Sequence, residues 1–151
     1  MRRHNVFLAS AGLVAGILLS LASVTVLTRP ASAQMDAYLA AQKGQIMAVI
    51  FMLDRAGFHG LDESLAGGTL PAGSLGTVRR ARIAVSATDW PDPLQEKAKA
   101  LGSELRELEE AVRAEDVGKA AGPAHEVHEL EHDLSDVVFA WLGGDRGGQQ
   151  H

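Results

Sequence analysis

The chain contains no cysteine. Disulfides, thiolate metal sites, covalent haem attachment and a cysteine nucleophile are all excluded by that one absence, and the fold must be held by its core alone. Proline is scarce, with five in 151 residues, and aromatic residues make up only 5%. Long helices therefore meet few breakers. No Gly-rich phosphate loop, dinucleotide fingerprint or paired nucleophile and base stands in the chain, which argues against an enzyme. Acidic residues are missing from the first 33 positions, and all 19 of them lie beyond.

What is present is globular in balance, with 46% apolar and 22% charged residues, and the length suits one domain. The N-terminus reads as a targeting segment. Met1-Arg2-Arg3-His4-Asn5 is a short basic start, an apolar run follows from Val6 to Leu27, and Ala31-Ser32-Ala33 offers small residues where a signal peptidase needs them. Residues 1–33 are expected to be a signal peptide, cleaved before Gln34, and the protein to be exported to the periplasm or an equivalent extracytoplasmic space. The alternative is an uncleaved anchor, because residues 6–27 are long enough to span a bilayer; membrane attachment is expected only in that case. Cleavage removes Arg2, Arg3 and Arg29 and leaves eleven basic against 19 acidic residues. So acidic a domain repels phosphate backbones, which excludes nucleic acid as a partner.

Apolar spacing predicts four helices over residues 34–142, followed by a flexible tail at 143–151. The first runs from Asp36 to Ala56 with Leu39, Ile46, Val49, Ile50 and Leu53 inward. It is apolar nearly all round between Ile46 and Leu53, so it is expected to be the most buried helix or a homodimer face. Gly57 reads as its C-terminal cap with Phe58 packed behind it. His59 to Thr77 reads as the longest connection, with at most one helical turn at Asp62–Leu65. The second helix, Leu75 to Thr88, turns Val78, Ala81, Ile83 and Val85 inward, and Arg79, Arg80 and Arg82 make it the one basic patch. The third has Asp92 as N-cap and a seam of Leu94, Ala98, Leu101, Leu105, Leu108 and Val112, with Glu109 and Glu110 read as solvated surface. The fourth begins at Asp116 and carries Val117, Ala120, Ala124, Val127, Glu131, Leu134, Val138 and Trp141, with a bend or late start expected at Gly122-Pro123. Short loops and one apolar stripe per helix predict an all-α fold, an antiparallel up-down-up-down four-helix bundle.

The chemistry-bearing stretch is HEVHELEH, His125 to His132. Measured round the helix from Val127, His128, His132 and His125 lie at about 100°, 140° and 160°, one stripe on the flank of the core. His128 and His132 stand four residues apart, a spacing that lets two imidazoles hold one metal ion. His59 ends the first helix at the level where the fourth begins, so it is expected to approach His125 or His128, with Asp62 or Glu129 as a carboxylate ligand. Imidazole with carboxylate suits Zn, Cu or Ni where thiols are absent. The candidate metal ligands are thus His59, His125, His128, His132, Glu129 and Glu131. The structural alternative has the histidines paired with neighbouring carboxylates. Glu131 interrupts the apolar seam and needs a partner, for which Arg79 or Arg82 is expected.

This layout resembles the small exported four-helix bundles of the b-type and c′-type cytochromes over residues 35–142. The haem residues do not match: there is no cysteine, Met35 stands at the very start of its helix, and the histidines lie in the first half of the last. No haem is expected. The sequence therefore supports an exported, non-catalytic bundle with a divalent-metal site for storage, sensing or transfer. The alternative is a structural or interaction module, without metal, that dimerises or docks a protein partner.

Overall fold

The computed structural model describes residues 31–143. The expected targeting segment up to residue 30 and the tail beyond Gly143 lie outside the described residues. Within them the chain is all-helical: four long helices, α1 (Ala31–Asp54), α3 (Ser74–Ala87), α4 (Asp92–Arg113) and α5 (Val117–Trp141), and one short helix, α2 (Phe58–Ala66). No helix among the described residues is long and apolar enough to cross a membrane. The four long helices touch in a ring, α1 against α3, α3 against α4, α4 against α5 and α5 against α1, and α2 lies along α5.

The seam of α4 organises the ring. Leu94, Ala98, Leu101, Leu105, Leu108 and Val112 are all buried, and each leucine contributes roughly 1.5–3 kcal/mol on burial. From α5, Ala120, Ala124, Val127, Leu134 and Val138 meet them, and from α3 Val78, Ala81 and Val85. Ile83, expected inward, is exposed, because it falls on the outer face of α3. Trp90 packs at the α3–α4 corner with its indole N–H donating to the Val85 carbonyl at 2.8 Å.

The helix ends follow local chemistry. The short link between α4 and α5 does two things at once. Glu115 adopts a left-handed φ of 53°, its N–H bonds the Val112 carbonyl, and the next N–H, of Asp116, reaches back to Ala111. That pair of bonds closes α4. Asp116 then caps α5, its carboxylate accepting from the Lys119 N–H at 3.1 Å. With that cap in place α5 starts at Val117 and passes through Pro123, rather than starting late. At α4 the cap sits one residue earlier than expected, at Pro91, which places Asp92 and Pro93 inside the first turn.

Three further expectations are corrected. The long connection after the first helix is largely helical: α2 spans nine residues. Phe58, Leu61 and Leu65 recur at helical spacing and are buried, but the glycines around them hide the pattern. Gly57, with φ 74°, turns the chain from α1 into α2. Second, α1 is not the most buried helix. Only Ile46, Val49, Ile50 and Leu53 are buried, while Met35 is 57% and Leu39 41% exposed. Third, Glu109 is not a solvated carboxylate. It is 4% exposed and accepts from Arg82 of α3 and from Arg113 one turn further along α4. It stands beside the seam on the flank of α4 turned towards α3, so the basic patch of α3 finds its acid there.

Candidate functional site

Burial of Phe58, Leu61 and Leu65 seats α2 on α5 and fixes which of its polar residues face the histidine stripe. His59, Asp62 and Glu63 stand at spacings of three and four along one face of α2. His125, His128 and His132 stand likewise on α5. The two rows meet.

His128 is the centre of the group. Its side chain is only 14% exposed and that of Asp62 18%. The Nε2 of His128 lies 3.3 Å from Nδ1 of His59, and its Nδ1 lies 3.3 Å from Oδ2 of Asp62. The same Asp62 oxygen is 3.2 Å from Nδ1 of His125. On the outside, His59 Nε2 meets Glu63 Oε1 at 3.2 Å. The ring of His132 packs edge-on against His128, with centroids 5.0 Å apart. Four imidazoles and one half-buried carboxylate are therefore linked in one chain of contacts.

Electrostatics follow from the shared carboxylate. The hydrogen bond that His125 donates to the Asp62 carboxylate, then that carboxylate's negative charge, hold the His125 imidazole above its ordinary pKa, and Glu129 and Glu126 add to the field. His125 thus keeps its proton to higher pH than a free histidine. Both nitrogens of His128 already have partners, so one must act as donor and the other as acceptor in the neutral ring. In this arrangement no group of three or more His, Asp or Glu side chains among the described residues converges on a common point as metal ligands do. His59 and His125 have exposed side chains, and rotating them about χ1 and χ2 needs no change in the helices.

Of the residues expected from the sequence, His59, His125, His128 and His132 come together, and Asp62 joins them. Glu129 is exposed and makes no bond to the group; it acts on His125 only through its charge. Glu131 is 6% exposed and accepts from Ser135 Oγ, one turn along α5, at 3.3 Å. The expected pairing of Glu131 with Arg79 or Arg82 does not form, because Glu109 takes Arg82. Glu63 is the residue that sequence reasoning passed over. The signal for it was the α2 spacing itself, since His59 and Glu63 stand four apart. Comparisons of the chain with protein-family models, with curated proteins and with solved structures return no match.

Proposed function

We propose that the α2–α5 group binds a divalent transition-metal ion, with His59, His125 and His128 as nitrogen ligands and Asp62 as the oxygen ligand. The observation that carries this reading is Asp62 Oδ2, shared by Nδ1 of His125 at 3.2 Å and Nδ1 of His128 at 3.3 Å; His59, now on the Nε2 side of the His128 ring, has to swing across to join them. Three imidazoles and a carboxylate within one hydrogen-bonded group form a donor set suited to Zn, Cu(II) or Ni(II). The half-buried pair of Asp62 and His128 supplies a fixed base, and the exposed His59 and His125 swing onto the ion. His132 stands beside the group as a further donor. A site that must rearrange to bind, and that keeps an open side to solvent, suits transfer or sensing better than permanent structural metal. The protein is read as exported and non-catalytic, with residues 1–33 removed and the four long helices in up-down-up-down order. The short α4–α5 link and the ring of helix contacts support that order.

Calorimetric titration of the purified protein with Zn, Cu(II) and Ni(II) tests the metal reading. A stoichiometric site that is lost in a His59/His125/His128→Ala triple variant is expected. Equal weak binding by wild type and variant sinks it.

A second reading, an interaction module, is favoured by α1. Met35, Leu39, Gln42, Ile46, Val49 and Leu53 form one seam of alternating four and three, the spacing of helix pairs. Its second half is buried, but Met35, Leu39 and the neighbouring Tyr38 stay exposed. Sedimentation equilibrium of wild type against Met35→Ser/Leu39→Ser distinguishes the readings. A homodimer that the double change dissociates supports the module, and a monomer at all concentrations removes the homodimer.

A further inference from the structure

Four arginines among the described residues, Arg55, Arg79, Arg80 and Arg106, form no ion pair, and Arg55 and Arg80 stand out among them because they share a cleft. The ion pairs among the described residues engage Arg82, Arg113, Lys97 and Lys119. Neither Arg55 nor Arg80 has a carboxylate partner among those residues; Arg80 donates only to the Thr77 hydroxyl, at 3.3 Å. Both line one cleft of about 460 Å³ on the outer side of α1 and α3, where Ala48, Phe51 and Met52 form the apolar wall. Phe51 is 52% exposed there. A second cleft, of about 650 Å³, shares Ala56, Thr77 and Arg80 with the first and continues over Gly57 and Gly60 to the start of α3. No Asp or Glu lines either cleft, in a chain with 19 acidic residues.

These features ask for two things in one ligand. A guanidinium stays charged at any physiological pH and pairs with a carboxylate through two parallel N–H groups. An exposed aromatic and its aliphatic neighbours gain by being covered, since their apolar surface is removed from water. The clefts are of small-molecule size, within the range of roughly 300–1,000 Å³ common for ligand pockets. The N-cap of α3 is Gly73, with no side-chain cap, so the partial positive charge of that helix end adds to the field at the junction of the clefts. Gly76 lies under the Arg80 guanidinium, where a Cβ would meet Nη1 at 3.3 Å, so the arginine folds back over the first turn of α3.

We propose that this double cleft binds an amphiphilic carboxylate of the fatty-acid class. The acid head lies between Arg55 and Arg80, and the alkyl chain runs over Ala48, Phe51 and Met52. The site is separate from the histidine group and does not depend on metal.

The test is calorimetric titration of the purified protein with decanoate below its aggregation concentration, alongside decanol, acetate and anionic phospholipid vesicles. One-to-one binding of decanoate, at least tenfold tighter than decanol or acetate, is expected. Arg55→Gln/Arg80→Gln should weaken it about tenfold, and Phe51→Gln severalfold, since all three side chains are exposed and their loss leaves the core intact. Far-UV circular dichroism of each variant checks that the helices remain. Decanol binding as tightly as decanoate, acetate binding as tightly, undiminished affinity in the arginine variant, or association with vesicles alone would each overturn the proposal.

Discussion

Glu109 gives the sharpest test of how the helices are held together. Replacing it by Gln keeps the shape and one acceptor but removes the charge. Arg82 and Arg113 use different oxygens of the carboxylate, so one of the two charge-assisted hydrogen bonds is lost, because the amide nitrogen only donates, and the other runs to an uncharged oxygen. A hydrogen bond to a charged group contributes about 1.5–3 kcal/mol, so the lost bond costs about that much, and the one that remains, still donated by a guanidinium, is only weakened. Arg113 is more than half exposed, which lowers its share. A loss of about 1.5 kcal/mol at neutral pH is the expected result for Glu109→Gln. Arg82→Ala/Arg113→Ala should cost more, about 3 kcal/mol, because it leaves a buried carboxylate without a cation. The pH dependence separates charge from packing. The hydrogen bond from Arg82, opposed by burial and helped by the charges of Arg82 and Arg113, holds the Glu109 carboxyl below its ordinary 4.5. A depressed native pKa stabilises the fold above the unfolded-state value and is lost as pH falls through the native one. Urea unfolding of wild type and Glu109→Gln should therefore show a gap that is full near pH 7, starts to close below about 4.5 and vanishes at lower pH. A gap unchanged between pH 7 and pH 3 would refute the electrostatic account, and no gap at all would refute the burial argument.

Other perturbations have defined outcomes. Leu101→Ala, at a fully buried seam position, should lower unfolding free energy by about 3 kcal/mol in urea melts. Glu115→Gly should raise it by about 0.5–1 kcal/mol, since a left-handed φ of 53° suits glycine and strains any other residue. In NMR titrations the His125 imidazole should titrate above the ordinary histidine value, because Asp62 bonds it, and Asp62→Asn should bring it back down. The coupling favours the protonated ring, so it is present at low pH and disappears as pH rises through the raised pKa. Metal affinity should run the other way, rising with pH as the imidazoles lose their protons, which isothermal titration at pH 6 and pH 8 can follow.

How much of this was legible beforehand differs from element to element. The α4 seam repeats by four and three with leucine at four of its six positions, and a pattern that regular survives any packing. The Asp116 cap is a local device, a carboxylate three residues before an N–H, and needs nothing distant to form. The histidine stripe is likewise a property of one helix, since residues 125, 128 and 132 share a flank wherever that helix lies. Helix α2 is the counter-example. Its nine residues are short and flanked by glycines, and they are helical because Phe58, Leu61 and Leu65 find α5 to pack on.

The all-helical class, the two best seams and the histidine-rich face were legible in the order of residues, because each depends on spacing within a single helix, and composition alone excluded thiol chemistry. The pairings came from how the helices pack against one another. Glu109 and Glu131 are both buried carboxylates, though spacing marks Glu109 as surface and Glu131 as the one in need of an arginine. One received two arginines and the other a serine, because α3 lies against α4 and presents Arg82 to Glu109. His59 and Asp62 reached the stripe at His125–His132 because α2 folded down onto α5, a contact between residues more than sixty positions apart in the chain. Spacing fixes what a helix can offer, and packing between helices fixes which offers meet.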